Sequence, residues 1–227
     1  MSPLLLFLMI GLPLASQAVA SILRQRFTRY AQDPMPMTGA ETAWRMLQEH
    51  GITDVQIVPA RGHLTDHYDP TKKTIALSEV VYGHANVSSC AVAAHECGHA
   101  VQDATGYPLL GMRSMMVPLL KISNLALPII SIGGAGLMAN EGRNTLAYVL
   151  LGLLAMPTAF SLITLPVEFD ASRRAVRWME SSPATRDSEL SGARNALWWA
   201  AMTYVVAALG SIAQVLVYAR MLLGRRR

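Results

Sequence analysis

Charge is scarce in this chain. Only 15% of its 227 residues are Asp, Glu, Lys or Arg, and 52% are hydrophobic. An average soluble domain carries about 25% charged residues, so a substantial part of this polypeptide is expected in lipid. Cysteine is scarcer still. The two, Cys90 and Cys97, lie on one helical pattern, where two positions rarely bridge. A disulfide framework is thereby excluded, and both read as small, buried, reduced residues. Repeats, low-complexity segments and nucleic-acid-binding motifs are absent. The net charge of +4 comes from arginines at the ends of apolar runs, where lipid headgroups account for them better than a nucleic acid does.

Four apolar stretches approach the roughly 20 residues needed to cross a bilayer. They are Leu4 to Leu23, Val117 to Ala139, Leu146 to Leu165 and Leu197 to Ala219. The first has a rival reading as a cleaved signal peptide, because Ala18-Val19-Ala20 mimics a small-residue cleavage site. No basic residue precedes it, however, and Arg24, Arg26 and Arg29 follow it, which favours an anchor. The second contains Lys121 and Asn124, and the lysine is close enough to one end to snorkel. Asn140-Glu141-Gly142-Arg143 reads as a turn joining the second and third stretches into a hairpin. Trp198 and Trp199 read as an interfacial anchor at the start of the fourth.

Between the first and second stretches lies a region of soluble character. Thr38 with Glu41 three residues on resembles a capping box, opening a helix that ends near His50 and Gly51. Asp54 to Val58 reads as a strand, Tyr68 to Lys73 as a turn, and Thr74 to Leu77 as a second strand. A longer helix is predicted from Asn86 or Val87 to Asp103. The fold expected is a mainly α membrane protein of about four transmembrane helices with a small α+β region, which the motif described next makes zincin-like and catalytic. Its parts are an anchor (1–29), the α+β region (30–116), a transmembrane hairpin (117–166), a further helix (167–196) and a last span with a basic tail (197–227).

The chemistry is concentrated in His95-Glu96-Cys97-Gly98-His99, an HExxH pattern. Residues four apart on a helix share a face, so both imidazoles can reach one zinc ion. Glu96 stands beside them as the general base that takes a proton from water. A histidine pair and a glutamate on an otherwise apolar helix are expensive to bury without a purpose. A catalytic zinc ion usually has three protein ligands. A third histidine six residues after His99 would complete one known pattern, but that position is Thr105. The best candidate is Glu168, 69 positions after His99, in the segment Glu168-Phe169-Asp170-Ala171-Ser172-Arg173-Arg174-Ala175, where a helix is expected to begin after Pro166. The bland account of this segment is a solvated helix with Asp170 paired to Arg174. Both accounts hold together if Glu168 binds metal while Asp170 and Arg173 support the ligands by hydrogen bonds.

Three segments carry a family resemblance: Ala93 to Gln102, Leu64-Thr65-Asp66-His67-Tyr68-Asp69-Pro70, and Thr164 to Ala175. Together they resemble the YugP-type membrane zinc metallopeptidases of bacteria, over nearly the whole chain. The resemblance implies a zinc-dependent endopeptidase acting on a peptide or protein substrate at the plasma membrane. A looser similarity, to the HtpX and Ste24 peptidases, implies that Glu168 is the third zinc ligand. There a glutamate stands in an E-x-x-A-D segment, and Ser172 here replaces its aspartate, so the supporting role of that aspartate does not carry over.

Other residues admit two readings. His67 or Tyr68 could donate a hydrogen bond to the oxyanion of peptide hydrolysis, or belong to a polar turn. Strand Thr74 to Leu77 could pair with an extended substrate as an edge strand, or only with its neighbour. His63 and His84 read as loop histidines. A rival to catalysis is a non-catalytic membrane module in which zinc only ties elements together. Neither the substrate's identity nor the oligomeric state follows from sequence. Eight arginines near span ends (24, 26, 29, 113, 173, 174, 177 and 194) fall on the catalytic side, against five (143, 220 and 225–227) opposite. This bias places the catalytic region in the cytoplasm, in agreement with reduced cysteines.

Overall fold

A computed structural model describes residues 10–62, 65–137 and 143–223. Among the described residues are seven helices: α1 (Leu12–Tyr30), α2 (Gly39–Glu49), α3 (Glu79–Gly83), α4 (Val87–Ala104), α5 (Pro108–Leu137), α6 (Arg143–Ser181) and α7 (Asp187–Leu223). One sheet is formed by β1 (Gln56–Ala60), β2 (His67–Asp69) and β3 (Thr74–Ser78). The chain divides into two units, residues 18–111 with 166–203, and residues 1–17 with 112–165 and 204–227.

The first of these units is built on local signals. Thr38 caps α2 in a reciprocal capping box, its hydroxyl accepting from the Glu41 amide while Glu41 accepts from the Thr38 amide. After His50 the chain turns through Gly51 at φ +68°, a left-handed conformation that favours glycine. Asn86 caps α4 by accepting from the Ser89 amide. At the sheet, Asp69 accepts from the amides of Thr71 and Lys72, and this Asx-type turn closes the β2–β3 hairpin.

The strand order is β1-β3-β2, with β1 parallel and β2 antiparallel to β3. Two expectations change here. Thr74 to Leu77 is the central strand, bonded on both sides, so it offers no edge to a substrate; the edges are β1 and β2. The first strand is shifted to Gln56–Ala60, because its start is set by pairing with Thr74 at the head of β3 rather than by composition. Pro59, which lacks an N–H, is accommodated because β1 is an edge.

Met46, Leu47, Ile75, Leu77, Trp178 and Met179 form the core with α4, whose side chains are buried along almost its entire length. That helix is rich in alanine, serine, cysteine and glycine, and small side chains on every face let neighbours approach it closely.

Three helical stretches are long and apolar enough to cross a membrane: Pro108–Ile130, Tyr148–Ser181 and Asp187–Arg220. Their most apolar windows are only 6%, 17% and 17% buried, and Met115, Leu125, Ile129 and Leu216 leave well over half their surface uncovered. Apolar surface left open on this scale is expected where lipid is the solvent. The start of the first predicted span and the turn predicted at Asn140 to Gly142 lie outside the described residues, as does His63. Pro166 does not start a helix. It sits inside α6, which runs on through Glu168, a position tolerated in long apolar helices where other groups satisfy the freed carbonyl.

Candidate metal centre

The two histidines of the motif occupy adjacent turns of α4, and Glu168 reaches them from α6. One ligand atom from each of His95, His99 and Glu168 can be chosen so that all lie within 4.8 Å of one another. The Nε2 atoms of both rings face the same carboxylate oxygen, Glu168 Oε2, at 3.1 Å from His95 and 3.6 Å from His99. The rings meet edge to face, 4.8 Å between centroids. His99 and Glu168 are buried and His95 nearly so. Glu96, on the same helix, is also buried.

The close approach of the helices depends on Gly98. A Cβ added there would stand 2.5 Å from the backbone oxygen of Ala171 and 3.0 Å from its carbonyl carbon. Only glycine lets α6 lie this near α4, and Ala171 is one helical turn beyond Glu168.

The other ring nitrogens are also engaged. His99 Nδ1 lies 3.0 Å from Gln102 Oε1, and His95 Nδ1 lies 3.1 Å from Ser172 Oγ. An amide oxygen can only accept, so His99 donates from Nδ1 and leaves its Nε2 lone pair for a metal. Gln102 is fully buried, and its Nε2 donates to the Val167 carbonyl at 2.8 Å and to Asp170 Oδ2 at 2.9 Å. It therefore ties α4 to α6 on the side of His99, while Ser172 ties them on the side of His95. Sequence reasoning assigned no role to Gln102. The available signal was its spacing of three from His99, on one helix face. Ser172, whose replacement of an aspartate removed the expected support, nevertheless contacts a motif histidine.

Asp170 accepts from Gln102 and from Arg174 Nε at 2.6 Å, and it is absent from the metal-holding group. Arg173 is exposed and lines a different cavity. Tyr68 donates its hydroxyl to Asp103 Oδ2 at 2.7 Å, and Lys73 Nζ reaches the same oxygen at 2.6 Å. Burial, then the hydrogen bond to Asp103, raises the Tyr68 phenol well above its ordinary value. His67 is exposed, with Nδ1 2.7 Å from the Thr65 carbonyl. Neither His67 nor Tyr68 has a contact with His95, His99 or Glu168 among the described hydrogen bonds. The Cys90 and Cys97 thiols are buried near the Met37 and Ala43 carbonyls, and burial pushes Cys90 up to about 11 and Cys97 well above the usual thiol range. They are inert core groups.

Two buried imidazole nitrogens and a carboxylate oxygen on converging helices suit a divalent metal that takes nitrogen and oxygen ligands, and zinc above all. Among the described residues the group has three protein donors, one fewer than a closed structural site requires and the number usual in a hydrolytic zinc centre. Comparison with known proteins reaches the same class. Residues 4–223 match the family described as "Putative neutral zinc metallopeptidase", and the chain belongs to that family. It is 41% identical over 191 residues to a protein of Bacillus subtilis (strain 168) described as "Putative membrane protease YugP", covering 83% of this chain and 82% of the relative. No solved structure matches it significantly. Zinc is the cofactor of the family, and the His95–His99–Glu168 group is where this chain can hold it.

Proposed function

We propose that this protein is a membrane-embedded zinc endopeptidase in which His95 and His99, through Nε2, and Glu168, through its carboxylate, bind zinc, and Glu96 is the general base. The observation that carries the reading is the convergence of both Nε2 atoms on one Glu168 oxygen while both Nδ1 atoms are held elsewhere. Zinc, when bound, supplies Lewis acidity, lowering the pKa of a water and polarising a carbonyl. The Glu96 carboxylate accepts the proton lost by the attacking water and later delivers it to the nitrogen of the leaving amine as the C–N bond breaks. Gln102 and Ser172 hold the imidazoles in the orientation that presents Nε2.

The substrate is a peptide or protein in or beside the bilayer, a reading supported by the relative's description as a membrane protease and by three apolar helices. We divide the chain into catalytic parts (30–116 and 167–196) and membrane parts (1–29, 117–166 and 197–227). The compact unit of residues 18–111 and 166–203 supports that division. The protein would sit in the bacterial plasma membrane, with four spans and its zincin-like catalytic region on the cytoplasmic side. The arginine bias supports that orientation.

Glu96→Gln tests the mechanism. It should retain zinc and lose hydrolysis of a generic unfolded protein, whereas His95→Ala should lose both. Hydrolysis by Glu96→Gln equal to wild type would sink the reading. A non-catalytic module tied by zinc has no use for Glu96, so wild-type protein that binds zinc and never cleaves would decide for that rival.

A further inference from the structure

Between α6 and α7, away from the motif residues, lies a cavity of about 340 Å³. Its apolar lining includes Phe169, Val176 and Trp198, and three arginines stand around it: Arg173 and Arg177 one turn apart on α6, and Arg194 on α7. Glu180, the one carboxylate among its described lining residues, lies 3.7 Å from Arg194, with both side chains more than half exposed. The neighbouring Asp170 is already bonded to Arg174. Arg173 and Arg177 are exposed cations over an apolar floor with no ion pair among those described, although Arg173 is near enough to Asp170 to act on its carboxylate electrostatically.

The cavity also sits at a defined level of the sequence. The apolar stretch of α6 ends at Leu165, four residues before Phe169, and that of α7 begins at Leu197, one residue before Trp198. Phe169 and Trp198 meet edge to face at 6.3 Å, so both helices change from apolar to charged at one height. Trp198 is 54% exposed, the posture of an aromatic belt residue.

We propose that this cavity is a binding site for the headgroup of an anionic glycerophospholipid. The phosphodiester would accept hydrogen bonds from Arg173, Arg177 and Arg194, and the glycerol backbone would lie on Phe169 and Trp198. Basic pockets between membrane helices take anionic headgroups in this way, by charge and by contact with the apolar base of the lipid. An acidic peptide would match the charge. It would not account for the position of the pocket at the shared end of two apolar stretches, or for an exposed tryptophan at that level. Ser172 lines the same cavity and contacts His95 Nδ1 from the next face of α6. Lipid would therefore be bound directly beside a group that steadies a motif histidine.

The test uses the full chain with Trp44, Trp178 and Trp199 changed to Phe, so that Trp198 alone reports. It is reconstituted in phosphatidylcholine vesicles with equal fractions of brominated phosphatidylglycerol or brominated phosphatidylcholine. Brominated phosphatidylglycerol should quench Trp198 at least twice as strongly, and the excess should vanish in Arg173→Gln/Arg177→Gln while Arg113→Gln keeps it. Glycerol 3-phosphate in solution should not remove the excess; complete removal would make the site one for a free phosphate and overturn the lipid assignment. Equal quenching by the two lipids, or an excess that survives the double variant, would overturn it too. Loss of the excess on adding an acidic peptide would give the cavity to a peptide instead. No readout depends on zinc or on proteolysis.

Discussion

Replacing Gly98 by alanine sets two effects against each other. Intrinsic helix propensity favours the change by up to about 1 kcal/mol in an exposed helix interior. At this position the new methyl would stand 2.5 Å from the Ala171 oxygen. Relaxed contact needs about 3.5 Å, so α6 has to retreat by about 1 Å. The obstacle is backbone, which no rotamer change can remove. Overpacking of this kind costs about 1–3 kcal/mol, enough to reverse the propensity gain. The larger effect falls on the site. Ala171 is three residues from Glu168, and zinc distances tolerate only about 0.2 Å. A displacement several times larger has to be absorbed by bending the Glu168 side chain out of its buried setting or by losing a bond. Gly98→Ala should bind zinc about 10–100-fold more weakly, by analogy with the losses seen when ligand supports are removed. The assay is chelator competition on the detergent-purified chain, with thermal unfolding of the zinc-free protein beside it. Gly111→Ala is the control: nothing lies within 4 Å of an added Cβ there, so it should bind zinc as wild type does and be as stable or, by helix propensity, slightly more stable. If Gly98→Ala binds zinc as tightly as wild type and is no less stable without it, the close crossing does not hold Glu168 in place.

Zinc affinity should also rank the polar residues. Glu168→Ala should cost most. Gln102→Met should cost about 10–100-fold, because His99 loses its acceptor and α6 loses two hydrogen bonds. Asp170→Ala should cost least, since it touches the site only through Gln102; a larger loss from Asp170→Ala than from Glu168→Ala would transfer the ligand role. Orientation is read by a single cysteine at Lys72 in a cysteine-free background. It should resist a membrane-impermeant thiol reagent in intact cells, and ready labelling would put the catalytic region outside.

Where local chemistry decides the structure, sequence was a sufficient guide. Thr38 with Glu41, Gly51, and the limits of α4 are set by groups within four residues of one another, and each stands within a residue or so of its expected place. The pairing of His95 with His99 belongs to the same category, because helical periodicity alone puts them on one face. Apolar length alone likewise marks the three helices fit to cross a membrane. What was not legible depends on distant partners. β2 is three residues long and exists because β3 bonds to it. β1 starts where Thr74 allows. Pro166 reads locally as a helix start, yet the residues on both sides of it are held in one helix. Gln102 looks like an ordinary polar residue until its amide is seen to satisfy groups 65 and 68 positions away.

The hydrogen bonds that cross between α4 and α6 at the candidate site form without any metal. Ser172 on α6 meets His95 on α4, and Gln102 on α4 donates to Val167 and Asp170 on α6, so each helix carries a residue outside the candidate ligand set that reaches across. Gln102 and the Val167 carbonyl it bonds are buried, and a buried polar group without a partner costs about 1–3 kcal/mol, so the network resists being opened one bond at a time. Gly98 sits between these two links, at the crossing itself. Sliding or tilting α6 would break hydrogen bonds on one side while driving Ala171 into α4 on the other. Both imidazoles, and the stretch of α6 that carries Glu168, are thus held by contacts that do not include a metal. A site built this way loses little conformational freedom when an ion enters, and that saving goes directly into affinity.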